Sequence, residues 1–227
     1  MSSGLASPYK GVFFDLDGTL ADTAPDLVAA ANQLLIARNL PPKQYEVLRP
    51  CASAGARGLI GGAFGINTDH PDFIPLRDEF FANYENALLV NSVLFEGVDH
   101  LLNQLDGAKL PWGIVTNKSE RFTHPLTELM GLRQRAASTV SGDTTPHSKP
   151  HPEPILHAAR IANIDPSKSV YVGDDIRDIV AGKAAGMQTI AAAYGYCGCE
   201  EPPESWGADY LVRHPLELLE IIFPGRG

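Results

Sequence analysis

Short runs of β-branched and aromatic residues alternate with stretches of helical periodicity along most of the chain. Residues 11–14 (GVFF), 112–115 (WGIV), 138–141 (STVS), 169–172 (SVYV), 189–192 (TIAA) and 210–212 (YLV) read as strands. Between them apolar positions recur three and four apart. Val98, Leu101, Leu102 and Leu105 predict a helix over 96–106. Further helices are predicted over 119–130, starting on Ser119, over 152–162, starting on Pro152, over 176–185, stopping at Gly186, and over 215–223. This alternation predicts an α/β fold with a parallel sheet covered on both faces.

Residues 22–93 break the rhythm and read as helix only. Pro25 suits the first turn of a helix, which Leu27, Ala31, Leu34 and Leu35 continue as an apolar stripe. Residues 53–64 are rich in Gly and Ala, and 71–89 carry Phe73, Leu76, Phe80, Phe81 and Tyr84 at helical spacing. No strand is expected inside. The expected organisation is a catalytic core over 1–21 and 94–227 with an inserted α-helical cap domain over 22–93, the joints falling near 21–24 and 90–95.

Composition narrows the picture. A chain of 227 residues, 44% apolar and 20% charged, is long enough for one core with a sizeable insertion. The net charge of −9, with no cluster of Lys and Arg, speaks against nucleic acid as a partner. An acidic surface also repels anions at long range, so a phosphate site would need a local cation. No apolar run approaches the roughly 18 residues of a membrane span, and residues 1–10 lack the apolar stretch of a signal peptide. Cys51, Cys197 and Cys199 form no disulfide framework and read as reduced thiols, consistent with a cytoplasmic setting.

In an open parallel sheet, ligands bind beyond the carboxyl ends of the strands. After the first expected strand come Asp15, Leu16, Asp17, Gly18, Thr19 and Leu20; after the second, Thr116 and Asn117; after the third, through a loop, Lys149 and Pro150; after the fourth, Gly173, Asp174, Asp175 and then Asp178. Period-two geometry puts Asp15 and Asp17 on one side of an extended segment. Carboxylates so close repel one another unless a cation or proton sits between them. Gly18 allows a tight turn or the close approach of backbone to a ligand, and Thr19 is placed to cap that loop. Three or four carboxylates on one rim call for a hard divalent cation, and oxygen ligands suit Mg²⁺. A carboxylate beside such an ion can attack phosphorus, and a second, two residues on, can protonate the leaving oxygen and later activate water. Lys149 and the Thr116 hydroxyl would hold the phosphoryl oxygens.

These four segments, in this order, resemble the four motifs of the haloacid dehalogenase superfamily: Asp15-Leu16-Asp17-Gly18-Thr19-Leu20, Ile114-Val115-Thr116-Asn117, Lys149-Pro150 and Val172-Gly173-Asp174-Asp175-Ile176-Arg177-Asp178. The resemblance spans nearly the whole chain. It implies a Rossmann-like core with a type I helical cap. It implies Asp15 as nucleophile and Asp17 as acid/base, with Thr116, Asn117 and Lys149 binding phosphate. It implies Mg²⁺ held by Asp15, the main-chain carbonyl of Asp17 and Asp174, with Asp178 in support and Asp175 as a further candidate for that supporting role. Dehalogenases of the superfamily lack the second aspartate of the first motif, so Asp17 points to phosphate chemistry. Asp22-Thr23-Ala24-Pro25-Asp26-Leu27, Ser53-Ala54-Gly55-Ala56-Arg57 and Thr116-Asn117-Lys118 look most like the phosphoglycolate phosphatase branch; N-acetylmuramic acid 6-phosphate phosphatases are similar in the same places.

The expected activity is hydrolysis of a small phosphorylated metabolite through an aspartyl-phosphate. Phosphoglycolate is the first substrate, with a sugar phosphate such as N-acetylmuramic acid 6-phosphate, or a phosphomutase reaction, as alternatives. A silent binding module on this scaffold would be expected to lack Asp15, Asp17, Lys149 or Asp174, and all four are present. Monomer and homodimer are both compatible with the sequence. Asn117 suits phosphate binding or capping of the helix near Ser119. Arg57 is either a grip on a substrate carboxylate or sugar hydroxyl, or a surface charge. Arg121 and Arg177 read as helix-surface charges, His147 and His151 as exposed loop residues, and Tyr194 and Tyr196 as packing.

Overall fold

The computed structural model describes residues 6–198 and 201–225; Cys199 lies outside them. The chain opens with strand β1 (Gly11–Phe14) and a two-residue strand β2 (Ala21–Asp22). Helices α1 (Ala24–Ala37), α2 (Tyr45–Leu48), α3 (Gly55–Phe64) and α4 (Phe73–Asn86) follow, and then strand β3 (Val93–Leu94). The remainder alternates: α5 (Val98–Gly107), β4 (Trp112–Val115), α6 (Glu120–Leu129), β5 (Ser138–Val140), α7 (Glu153–Ala162), β6 (Ser169–Gly173), α8 (Ile176–Ala184), β7 (Gln188–Ala192), β8 (Tyr210–Val212) and α9 (Leu218–Ile222). Six strands form one sheet in the order β5-β4-β1-β6-β7-β8, and every neighbouring pair is parallel.

The inner strands β1, β4 and β6 are buried along their whole length, which is why they read as largely apolar runs. Their period of two sorts side chains between two cores. Val12 and Phe14 pack with Leu101, Leu102 and Leu105 of α5 and with Ile222 of α9. Phe13 and Tyr171 face the other way, against Ile155 and Ala158 of α7 and Ala181 of α8. Full burial of a side chain such as Phe14 or Leu102 stabilises by about 1.5–3 kcal/mol. All six expected strands are present, as are the helices expected between them; over 215–223 a 3₁₀ turn (Pro215–Glu217) precedes α9.

The inserted helices own a third core, in which Leu34, Leu59, Phe80 and Tyr84 meet; Phe122 of α6 and Tyr196 reach into it from below. The expectation of helix alone over 22–93 is corrected at its edges. β2 and β3 pair antiparallel, Ala21 with Leu94 and Asp22 with Val93. Two residues are too few to show a strand period.

Two residues fasten this joint. Asp26, buried near the start of α1, accepts backbone N–H bonds from Val90 (3.0 Å), Asn91 (2.9 Å) and Ser92 (2.9 Å), and one from the Ser92 hydroxyl (2.7 Å). The Tyr196 hydroxyl accepts from the backbone N–H groups of Thr23 (2.7 Å) and Ala24 (2.9 Å), satisfying donors that the helix start would otherwise leave unpaired. Among the described residues no helix is long and apolar enough to cross a membrane.

Candidate active site

The carboxyl ends of β1, β4 and β6 lie side by side where the strand order turns: β4 is on one flank of β1 and β6 on the other. A crevice forms at such a switch point. Asp15 follows β1 directly, and its backbone N–H donates to Val172 O (2.9 Å), which keeps it in register with β6. Thr116 follows β4 and is buried. Asp174 follows β6 and is buried, as is Asp178 on the first turn of α8.

Lys149 ties these strand ends together. Its ammonium lies 2.9 Å from Asp15 Oδ1 and 2.7 Å from Asp178 Oδ1. It also donates to Val115 O (2.8 Å) and to the Tyr171 hydroxyl (2.9 Å). Asn117 holds the lysine's backbone from both sides: Nδ2 donates to Lys149 O and Oδ1 accepts from Lys149 N, each at 2.9 Å. The Asn117 amide thus positions Lys149, and Asn117 also lines the cavity described below. It does not cap α6, whose N-cap is Ser119; the Asp143 carboxylate accepts the Glu120 N–H there (2.8 Å).

Carboxylate oxygens of Asp15, Asp174 and Asp178 all lie within 4.8 Å of one another. Asp17 is not in this trio. Its Oδ1 turns toward the inserted helices, accepting from the Thr23 hydroxyl and from Lys118 Nζ (2.9 Å). The two aspartates of the first motif thus part company, because β1 ends at Phe14 and the chain turns immediately afterwards. The Asp17 carboxylate stays apart from the trio, in keeping with the expectation that only its main-chain carbonyl would face a metal. Gly18 is not among the residues that line the cavity described below. Its φ of +86° needs glycine, and a Cβ there would stand 2.1 Å from Asp174 Oδ2. The small residue makes room for a carboxylate, and Thr19 donates its hydroxyl to the same Asp174 (3.1 Å).

Three acids around one lysine leave an excess of negative charge in a dry place. Burial, with Asp15 and Asp178 close by, pushes Asp174 well above the usual carboxylate range. Burial raises Asp15 as well, against the opposing pull of Lys149. Burial pushes Asp178 up to about 7, again against Lys149. Burial disfavours the charge of Lys149, yet Asp15 and Asp178 outweigh it and hold that ammonium above its ordinary value. Carboxylates that crowd in this way take up a proton or a cation. The all-oxygen donor set fits a hard divalent ion.

A cavity of about 620 Å³ opens over the rim. Its floor is Asp15, Asp17, Thr116, Lys149, Asp174 and Asp178, and its far wall is Ser53–Arg57 with Phe80, Phe81 and Tyr84. Arg57 lines this wall, and its side chain is exposed.

The family model described as haloacid dehalogenase-like hydrolase matches residues 12–192. The chain belongs to the haloacid dehalogenase-like hydrolases. An N-acetylmuramic acid 6-phosphate phosphatase of Pseudomonas putida is 43% identical over 213 residues, covering 94% of this chain and 96% of that protein. A phosphoglycolate phosphatase of Xanthomonas campestris pv. campestris is 43% identical over 211 residues, covering 93% and 95%. The crystal structure of a "predicted phosphoglycolate phosphatase" from Haemophilus somnus 129PT superposes with a TM-score of 0.83 at 26% identity, covering 95% and 98% of the two chains.

Several polar residues of this haloacid dehalogenase-like hydrolase carry partners that the sequence did not announce. Lys118 is nearly buried, bonds Asp17, and sits 4.6 Å over the Tyr84 ring of α4. Burial opposes its charge, but Asp17 prevails and raises its pKa. Asp175 is the N-cap of α8, in a reciprocal capping box with Asp178. Arg177 is not a free surface charge: it clasps Asp175 (2.7 and 2.8 Å) and donates to Ser53 O of the insert (2.7 Å). Tyr196 also donates its backbone N–H to Asp174 Oδ2 (2.8 Å), and the Tyr194 hydroxyl donates to Thr19 O (2.9 Å). Only the D-x-x-D spacing of the capping box was open to detection in advance. Arg121 is a surface charge as expected, paired with Glu85 at 2.8 Å.

Proposed function

We propose that the chain is a Mg²⁺-dependent phosphomonoester hydrolase that works through an aspartyl-phosphate on Asp15 and acts on a small phosphorylated metabolite in the cytoplasm. The observation that carries this reading is the meeting of Asp15, Asp174, Asp178 and Lys149 on the floor of one cavity. Asp15, Asp174 and the Asp17 carbonyl would hold the cation, with Asp178 beside them. Bound there, Mg²⁺ neutralises charge on the phosphoryl oxygens and keeps Asp15 ionised.

An Asp15 oxygen attacks phosphorus, and the bond to the ester oxygen breaks. Asp17 supplies the proton for the departing alkoxide. Its Oδ1 is taken up by Lys118 and Thr23, which leaves Oδ2 as the oxygen for proton transfer. The same carboxylate then takes a proton from water, the water oxygen attacks phosphorus, and the Asp15–phosphate bond breaks. Thr116 and Lys149 would fix the phosphoryl oxygens. Residues 22–93 serve as the cap over a core of 1–21 and 94–227. With the cap closed, water is excluded and the leaving group is read by its wall.

The two relatives at 43% identity bear different substrate names. A cavity of about 620 Å³ walled by Phe80, Phe81 and Tyr84 has far more room than a two-carbon acid needs and favours an amino-sugar phosphate such as N-acetylmuramic acid 6-phosphate. Phosphoglycolate is the second reading, favoured by Arg57, whose guanidinium can pair with its carboxylate. The test is a kinetic panel with Mg²⁺ that ranks kcat/KM for both compounds and a hexose 6-phosphate while measuring free phosphate. We expect the amino-sugar phosphate to lead. A lead for phosphoglycolate reverses the order, isomerised sugar phosphate without free phosphate indicates a mutase, and no turnover of any ester overturns the reading.

A further inference from the structure

Behind Lys149, on the outer side of its loop, stands a second group of metal-type ligands that the chemistry above does not use. His147, His151 and Glu153 each offer a ligand atom, and these lie within 4.8 Å of one another. The Glu153 Oε2 is 2.7 Å from His147 Nδ1 and 4.0 Å from His151 Nδ1. The imidazole rings stack with centroids 4.3 Å apart and planes 24° from parallel. A tetrahedral ion with bonds of about 2.0–2.1 Å needs its ligand atoms roughly 3.4 Å apart. The observed separations straddle that value; since the Glu153 backbone N–H donates to His151 Nδ1 (3.2 Å), His151 would offer its Nε2 to an ion.

The backbone is already arranged for it. Pro146, Pro150, Pro152 and Pro154 alternate through the segment and limit the entropy that ordering would cost. Thr145 bonds His147 O (2.7 Å), and His151 N–H bonds Ser148 O (3.0 Å). Glu153 begins α7 and is fixed by that helix. All three side chains stand open to solvent, with 61%, 49% and 36% of their surface exposed, so an ion can enter directly.

We propose that His147, His151 and Glu153 form a second metal site, for a borderline ion of the zinc class, on the outer face of the loop that carries Lys149. Two imidazoles and one carboxylate with an open fourth position match zinc, whereas the all-oxygen trio beneath suits magnesium. The two sites therefore separate by ligand chemistry. An ion here clips residues 147–153 together from outside, while Asn117 holds the same loop from inside.

The test is calorimetric titration of Zn²⁺ into the untagged full-length protein held in millimolar Mg²⁺, with the His147→Ala, His151→Ala and Glu153→Gln variants run alongside. The native chain should bind a single zinc ion beyond the magnesium site. Each variant should lose at least about tenfold in zinc affinity, since removing a direct ligand costs no less than removing its outer-shell support. Circular dichroism and Mg²⁺-supported turnover should stay native, showing that the fold is kept. Zinc affinity unchanged in the variants, or no zinc uptake by the native chain in excess Mg²⁺, would overturn the proposal.

Discussion

The floor and the far wall of the cavity are built by opposite means. On the floor, the Lys149 ammonium is divided among Asp15, Asp178, a backbone carbonyl and the Tyr171 hydroxyl, all within 2.9 Å. Each partner there is fixed by charge and by hydrogen-bond geometry, so residue type cannot drift. On the wall, Arg57 apart, Ala54–Ala56 and the rings of Phe80 and Phe81 meet the cavity through shape and apolar surface. Many sequences could supply such a wall. The lesson is that reaction type and substrate choice are written in different chemical languages within one site, and only the first is sharply spelled.

The largest expected effect tests the floor. Asp15→Asn should lower kcat by at least about 10³-fold. Thermal stability should hold or rise, because one of three crowded carboxylates loses its charge; hydrolysis at the native rate would remove Asp15 from its role as nucleophile. Next comes the joint between floor and wall. Asp26→Ala strips the acceptor from three backbone N–H groups and should cost about 3–5 kcal/mol in urea unfolding. If the unfolding midpoint stays put, the joint is not what holds the insert in place.

The smallest effect is in pH. Asp15, Asp174 and Asp178 all bind protons more tightly in the folded chain than in the unfolded one, Asp178 with a pKa of about 7. The contribution of these groups is therefore full below the unfolded carboxylate pKa near 4 and is lost as pH rises through about 7. In EDTA the melting temperature should fall by a few degrees between pH 5 and pH 8, and saturating Mg²⁺ should flatten that slope. Equal slopes with and without the ion would mean that the acidic trio is not where it binds.

The contrast between floor and wall also explains what was legible in the chain. The inner strands announced themselves because burial on both faces leaves short, largely apolar runs, the edge strands by their β-branched and aromatic residues, and the acids at the strand ends are local in sequence. What stayed hidden was pairing at a distance. Asp26 meets backbone 64–66 residues away, and Tyr196 meets Thr23 across 173 residues; nothing near either residue names its partner. Gly18 was legible as a residue needing a tight turn; that its missing Cβ makes room for Asp174 was not. Asn117 was legible as polar and near the site, but nothing announced that its amide holds the backbone of Lys149 from both sides. Residue type predicts what a group can do; only the fold says to whom.

Thr23, whose hydroxyl bonds Asp17, is also the N-cap residue of the first inserted helix. A swing of those helices wide enough to admit a bulky ester must either carry Asp17 along or break that contact. On the proposed mechanism, with Asp17 as proton donor, entry of the substrate and readiness of that donor would be geared together through the Thr23 hydroxyl.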